Sequence, residues 1–142
     1  MKFKFRLQPL LKIAERELGL VTAELEEVRD GIRQIDQLMV ELEETKVQED
    51  QELEVACRGY DVGLFYQRRQ ARERDKIALV NRRFEFVEAE KKVEERLTDI
   101  KREIYRLESV REKHLLEFQA EVRAAEDKEL DEIGTLRYSA GG

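Results

Sequence analysis

A chain of 142 residues in which 42% are Asp, Glu, Lys or Arg, with one proline and no tryptophan, is too charged and too poor in turn formers for an ordinary globule. An apolar content of 41%, recurring with a regular period, argues against disorder, and a net charge of −6 argues against nucleic acid as the principal partner. A single cysteine, Cys57, allows no internal disulfide.

The chain opens "MKFKFRLQPLLKIAERE". Pro9 and Lys12 interrupt its apolar residues, so it lacks the uninterrupted core of a secretion signal. No stretch approaches the ~20 apolar residues of a membrane span. A cytosolic protein is the expectation. Proline is tolerated in a first helical turn, where its missing N–H is not needed, so a helix is predicted from about residue 8, with "MKFKFR" as a short lead-in.

Helix one is predicted over about 8–57. Leu7, Leu11, Ala14, Leu18, Val21, Leu25, Val28, Ile32, Ile35, Met39 and Leu42 follow one another in steps of four and three without a miss. That is a heptad seam with every a and d position apolar. Lys46 and Glu49 interrupt it before the phase returns at Leu53, Ala56 and Tyr60. A tip is predicted over about 58–66, where Gly59 and Gly63 flank Tyr60, Asp61 and Val62. Helix two is predicted over about 67–134. Its seam is read as Ile77, Val80, Phe84 and Val87, then Val93, Leu97, Ile100, Ile104 and Leu107, then Leu115, Phe118, Val122 and Ala125. The six-residue step from Val87 to Val93 and the eight-residue step from Leu107 to Leu115 are opposite phase slips. Leu130 and Ile133 follow, and Gly134 suits a helix end.

Charge settles how the helices pair. Residues 1–56 carry a net −6, residues 57–83 a net +5 and residues 84–142 a net −5. Folding back at Asp61 lays Glu41, Glu43, Glu44, Glu49, Asp50, Glu52 and Glu54 beside Arg68, Arg69, Arg72, Arg74, Arg82 and Arg83. A parallel dimer would set the acidic run against itself. The predicted fold is therefore all-α, a single domain over 1–142: a long two-helix antiparallel coiled-coil hairpin. Leu7 should lie opposite about residue 115, leaving helix two to overhang helix one through "EFQAEVRAAEDKELDEIGTLRY".

Such a hairpin is expected to offer no small-molecule cleft. No catalytic group, cofactor or metal is expected either. His114 is the only histidine and lacks the clustered ligands of a metal site, so it reads as a residue at the solvent edge of the seam. Cys57 reads as a small filler at the hairpin end. The many carboxylates are those of a charged helix surface, not a tuned acid–base pair. There is no Gly-rich phosphate loop and no nucleophile with a base. The arginines of "QRRQARER" have the facing acidic run to pair with, and nucleic-acid binding is not expected. Leu64, Phe65 and Tyr66 in the tip have little core to enter; they either pack the turn or form a contact surface.

"FKFRLQPLLKIAERE" resembles the opening of the FliJ family of flagellar export proteins. The closing "KELDEIGTLRY", the length and the glycine-containing tip are similar too, and the likeness covers nearly the whole chain. It is carried by Phe3, Phe5, Leu7, Leu10 and Leu11 at one end and by Leu130, Asp131, Glu132 and Arg137 at the other. The resemblance implies a non-enzymatic component of the flagellar type III export apparatus, cytoplasmic and peripheral at the inner face of the membrane at the flagellar base. Family members form an antiparallel coiled coil similar to the stalk of rotary ATPases. They sit in the ring of the hexameric export ATPase, promote its assembly, contact the cytoplasmic domain of the export gate and are described as escorting export chaperones. By that analogy Phe3, Phe5, Leu130, Ile133 and Leu136 would meet the ATPase ring, and Leu64, Phe65 and Tyr66 the gate. The family carries more apolar character just past the tip, where gate contacts are expected, whereas here that segment reads "YQRRQARERDKI". The stalk of a virulence-type injectisome, and a coiled-coil spacer that never meets an ATPase, are the alternative readings.

Overall fold

The computed structural model describes residues 2–56 and 62–141. Two helices account for nearly all of them: α1, Gln8–Ala56, and α2, Val62–Gly141. They pack against each other, and the fold is an all-α two-helix hairpin. By contacts the chain divides into two compact units, each built from a stretch of both helices. The first is Met1–Leu18 with Thr98–Gly142, and the second is Gly19–Leu97. Cys57, Tyr60, Asp61 and the two-glycine turn around Gly59 fall outside the described residues, as does the side chain of Ala56.

In the first unit the lead-in turns into α1 through a bond from the Gln8 amide to the Phe5 carbonyl at 3.1 Å. Leu10 N–H and Leu11 N–H then both donate to the Leu7 carbonyl. Pro9 sits as the second helical residue, where no partner for its nitrogen is required. Leu11, Ala14 and Leu107 form the buried core, with Leu7 and Ile104 packed against it. Phe5 is buried with its ring edge-on to His114 at 6.0 Å, and Phe3 lies 5.6 Å from Phe118. These pairs set the antiparallel register within a few residues of that expected from a fold-back at Asp61. Beyond Val122 every described residue of α2 is exposed, so its last turns overhang.

In the second unit Val21, Leu25, Ile35 and Val93 are buried. Every seam position expected for helix one, from Leu7 to Leu42, is buried or half-buried. Cross-helix ion pairs decorate this unit: Arg96 reaches both Glu24 oxygens at 3.0 and 3.1 Å, Arg29 meets Glu94 at 3.2 Å, and Arg83 meets Asp36 at 2.8 Å. All are solvent-exposed, so each contributes little alone; together they favour the antiparallel register.

Three expectations for helix two are corrected. It begins at Val62, so Leu64, Phe65 and Tyr66 are helical and not part of a turn. It runs through Gly134 to Gly141, because Gly134 keeps an ordinary helical backbone and Thr135 returns its hydroxyl to the Asp131 carbonyl at 2.8 Å. Third, the packed seam between the tip and Val93 does not run through Ile77, Val80 and Phe84, which are exposed, although Val87 is half-buried as expected. It runs instead through Phe65, Arg72, Leu79 and Phe86, all half-buried at strict seven-residue spacing, leading to Val93 without a slip. Arg72 interrupts the apolar pattern of that seam and hides it in the sequence. It is balanced by Glu49, whose carboxylate lies 3.0 Å from Arg72 Nε with little of either side chain exposed.

The two glycines within α1 differ. A Cβ at Gly19 would meet nothing within 4 Å, so Gly19→Ala is expected to stabilise the chain by about 1 kcal/mol through helix propensity alone. A Cβ at Gly31 would come within 2.7 Å of the Phe86 ring. Gly31→Ala is expected to gain nothing, the propensity benefit being offset by displacement of that ring. Thermal melts of the two variants side by side check both.

Candidate partner-docking surface

Along the second unit an open groove of about 460 Å³ runs between Leu38, Leu42 and Thr45 of α1 and Ala78, Leu79 and Arg82 of α2. No concave surface of this size was expected. Ala78 and Thr45 are among the smaller side chains of its lining, and Leu42 and Leu79 line it from the two helices. Leu38 on its rim remains about half exposed, so the groove is shallow relief and not a chamber. Among the described residues no group of three or more His, Cys, Asp or Glu is placed to hold a metal, and no ionisable residue is fully buried. His114 is exposed and serves as the surface against which the Phe5 ring rests.

What the second unit does present is a stripe. Ile77, Val80 and Phe84 are 54%, 46% and 65% exposed. With steps of three and four they share one face of α2, about 140° around the helix from the Leu79–Phe86 seam. Tyr66, 60% exposed, falls on the same face three turns earlier, its hydroxyl accepting a bond from the Gln70 amide at 3.1 Å. Single exposed apolar residues are ordinary; an aligned set on a helix whose opposite face already has its partner is a candidate contact surface.

The arginines around the stripe are largely spoken for. Arg69 pairs with Asp50 at 3.2 Å, Arg72 with Glu49, and Arg83 with Asp36. The Arg83 guanidinium is raised above its ordinary value by its hydrogen bond to Asp36 and by the attraction of that carboxylate, so it stays charged at any working pH. Arg68 and Arg82 lie over the rings of Phe65 and Phe86, each 5.9 Å from the centroid. The acidic run thus answers part of the arginine cluster, as the charge pattern implied, while aromatic rings take Arg68 and Arg82.

The sequence-derived contact residues are distributed unevenly. Leu64 and Tyr66 are exposed and Phe65 is half-buried; Phe65 and one side of Tyr66 line a hollow with Glu49, Asp50 and Leu53. Leu130, Ile133 and Leu136 are all exposed on the overhang. Phe3 and Phe5 are not free: they dock on Phe118 and His114. The Ile77–Val80–Phe84 stripe was seen in the sequence but assigned to the interior. No helix among the described residues is long and apolar enough to cross a membrane. Comparison with family models, with curated proteins and with solved structures finds no match to this chain.

Proposed function

We propose that this chain is a non-enzymatic stalk of the flagellar type III export apparatus, seated in the export ATPase ring and linking it to the cytoplasmic domain of the export gate. The resemblance of its two ends to the FliJ family motivates the assignment. The observation that carries it is the exposed Ile77–Val80–Phe84 stripe just past the tip, where the resemblance places gate contacts. The arginine-rich segment that precedes it is no obstacle, because its paired side chains leave that apolar face clear. On this reading Tyr66, Ile77, Val80 and Phe84 meet the gate. Leu130, Ile133 and Leu136 on the overhang meet the ATPase, with Phe3 and Phe5 bracing the end from which it projects. The protein works in the cytoplasm, peripheral to the membrane at the flagellar base.

The test is a pair of triple variants. Changing Ile77, Val80 and Phe84 to Ser should abolish capture of the gate's cytoplasmic domain and leave stimulation of the ATPase intact. Changing Leu130, Ile133 and Leu136 to Ser should do the reverse. Both should melt within about 0.5 kcal/mol of the parent, since neither set is buried. If both variants retain both partners and full motility, the stalk assignment fails and a plain spacer remains. If the partners captured belong to a virulence injectisome, the same architecture serves that machine.

A further inference from the structure

The proposed docking face exists only because α2 turns one of its two apolar stripes towards α1 and the other outward. The choice is not the one that apolar content favours. The outward stripe, Ile77, Val80 and Phe84, has no charged member, whereas the inward one includes Arg72; Val87, the next step of the outward pattern, is half-buried. Burying Arg72 with Glu49 is a weak reason for the choice. Desolvation opposes their attraction, and Glu49 Oε2 and both Arg72 Nε and Nη1 lack a well-directed hydrogen bond. Arg69–Asp50 and Arg83–Asp36 are largely exposed and contribute little.

What distinguishes the inward stripe is Phe86. Its ring enters a notch that exists only because residue 31 has no side chain: an added Cβ would fall 2.7 Å from Cε1 and 3.1 Å from Cδ1 and Cζ. Glycine in mid-helix is otherwise a destabilising choice. At Gly19 it answers no neighbour, while at Gly31 it admits an aromatic ring from the facing helix. No residue of the outward stripe could use the notch without α2 turning by about 140°.

We infer that Gly31 and Phe86 form the lock that fixes which face of α2 packs on α1, and thereby keeps Ile77, Val80 and Phe84 exposed for a partner. Gly31 is a positioning residue: it touches no partner and acts through the orientation of the stripe. The inference rests on the docking role proposed above, but its test involves no partner, so the two fail separately.

In the full-length chain with Cys57→Ser, two reporters are introduced separately. Leu42→Cys with Leu79→Cys places thiols on two residues that line the same groove, and should cross-link under mild oxidation. Val80→Cys should react with a maleimide as fast as an exposed thiol. Adding Gly31→Ile, which puts a stiff side chain into the notch, should slow cross-linking by about tenfold or more and protect Val80→Cys comparably, as the orientation is lost. Phe86→Ala added to Gly31→Ile removes the clash and should restore cross-linking. Gly31→Ala, a smaller intrusion, should fall between. Circular dichroism should show the helices retained throughout. Unchanged cross-linking and Val80→Cys reactivity in the Gly31→Ile chain overturns the lock. So does a loss that Phe86→Ala fails to restore, since the effect then does not act through that ring. If Gly31→Ile abolishes helicity, the Gly31→Ala and Phe86→Ala chains decide: wild-type cross-linking in both overturns the lock, and impaired cross-linking in both supports it.

Discussion

Ile35→Asp is expected to lower stability by about 3–5 kcal/mol, because it leaves a carboxylate without a counter-charge in the seam. Ile35 is only 3% exposed, in a stretch of α1 whose every heptad position is covered by α2. The carboxylate would either stay ionised in an apolar layer or take up a proton at neutral pH, and both are costly. Phe84→Asp is the matched control. Its ring is larger than the isoleucine side chain, yet 65% exposed, so the change should stay within about 0.5 kcal/mol. Reading α2 from its apolar residues alone would reverse this for Phe84, counting it as core. Denaturant melts of the two variants separate the readings.

The second large effect concerns Glu49 and Arg72. Their side chains are 20% and 13% exposed, so each holds the other's charge in a mostly covered layer. Arg72→Leu alone should cost about 1–3 kcal/mol, because Glu49 is left covered and unpaired. Glu49→Leu should behave alike, towards the lower end if the arginine stem bends its charge to water. The double change to leucine should be neutral or stabilising by about 1–4 kcal/mol, since two ions are replaced by an apolar layer continuous with Leu53 and Phe65. A double-mutant cycle read by urea titration gives the coupling directly. If the double variant is as unstable as the worse single one, the layer is not a paired-ion interruption of an apolar seam.

These expectations show where the sequence was a sufficient guide. In α1 all the seam residues from Leu7 to Leu42 are apolar, so the period alone identifies the packed face. The net charges of successive segments then imply an antiparallel partner, and the observed pairs of Phe5 with His114 and Arg83 with Asp36 follow a fold-back close to the one inferred. In α2 the same method picked the wrong face from the tip to Phe84. Two stripes compete there, and periodicity ranks them by apolar content. Packing ranks them by fit: a notch at Gly31 admits Phe86, while Glu49 at the level of Arg72 only offsets the charge that this choice covers. The uninterrupted seven-residue spacing of Phe65, Arg72, Leu79, Phe86 and Val93 was the available signal, and the arginine concealed it. Gly134 misled for a related reason: glycine permits a helix to stop without requiring it, and nothing in the backbone there departs from the helix. The Ile77–Val80–Phe84 stripe was therefore legible as a pattern but not as an exposed surface.

The central claim is that this chain acts on an export ATPase without being an enzyme itself. It is tested most directly by the ATP hydrolysis rate of the purified export ATPase, titrated with the purified chain while ring formation is followed by light scattering. The account predicts a saturable rise in rate that coincides with hexamer assembly and is lost in the Leu130, Ile133 and Leu136 to Ser variant. A rate and an assembly state unchanged at saturating chain would contradict it.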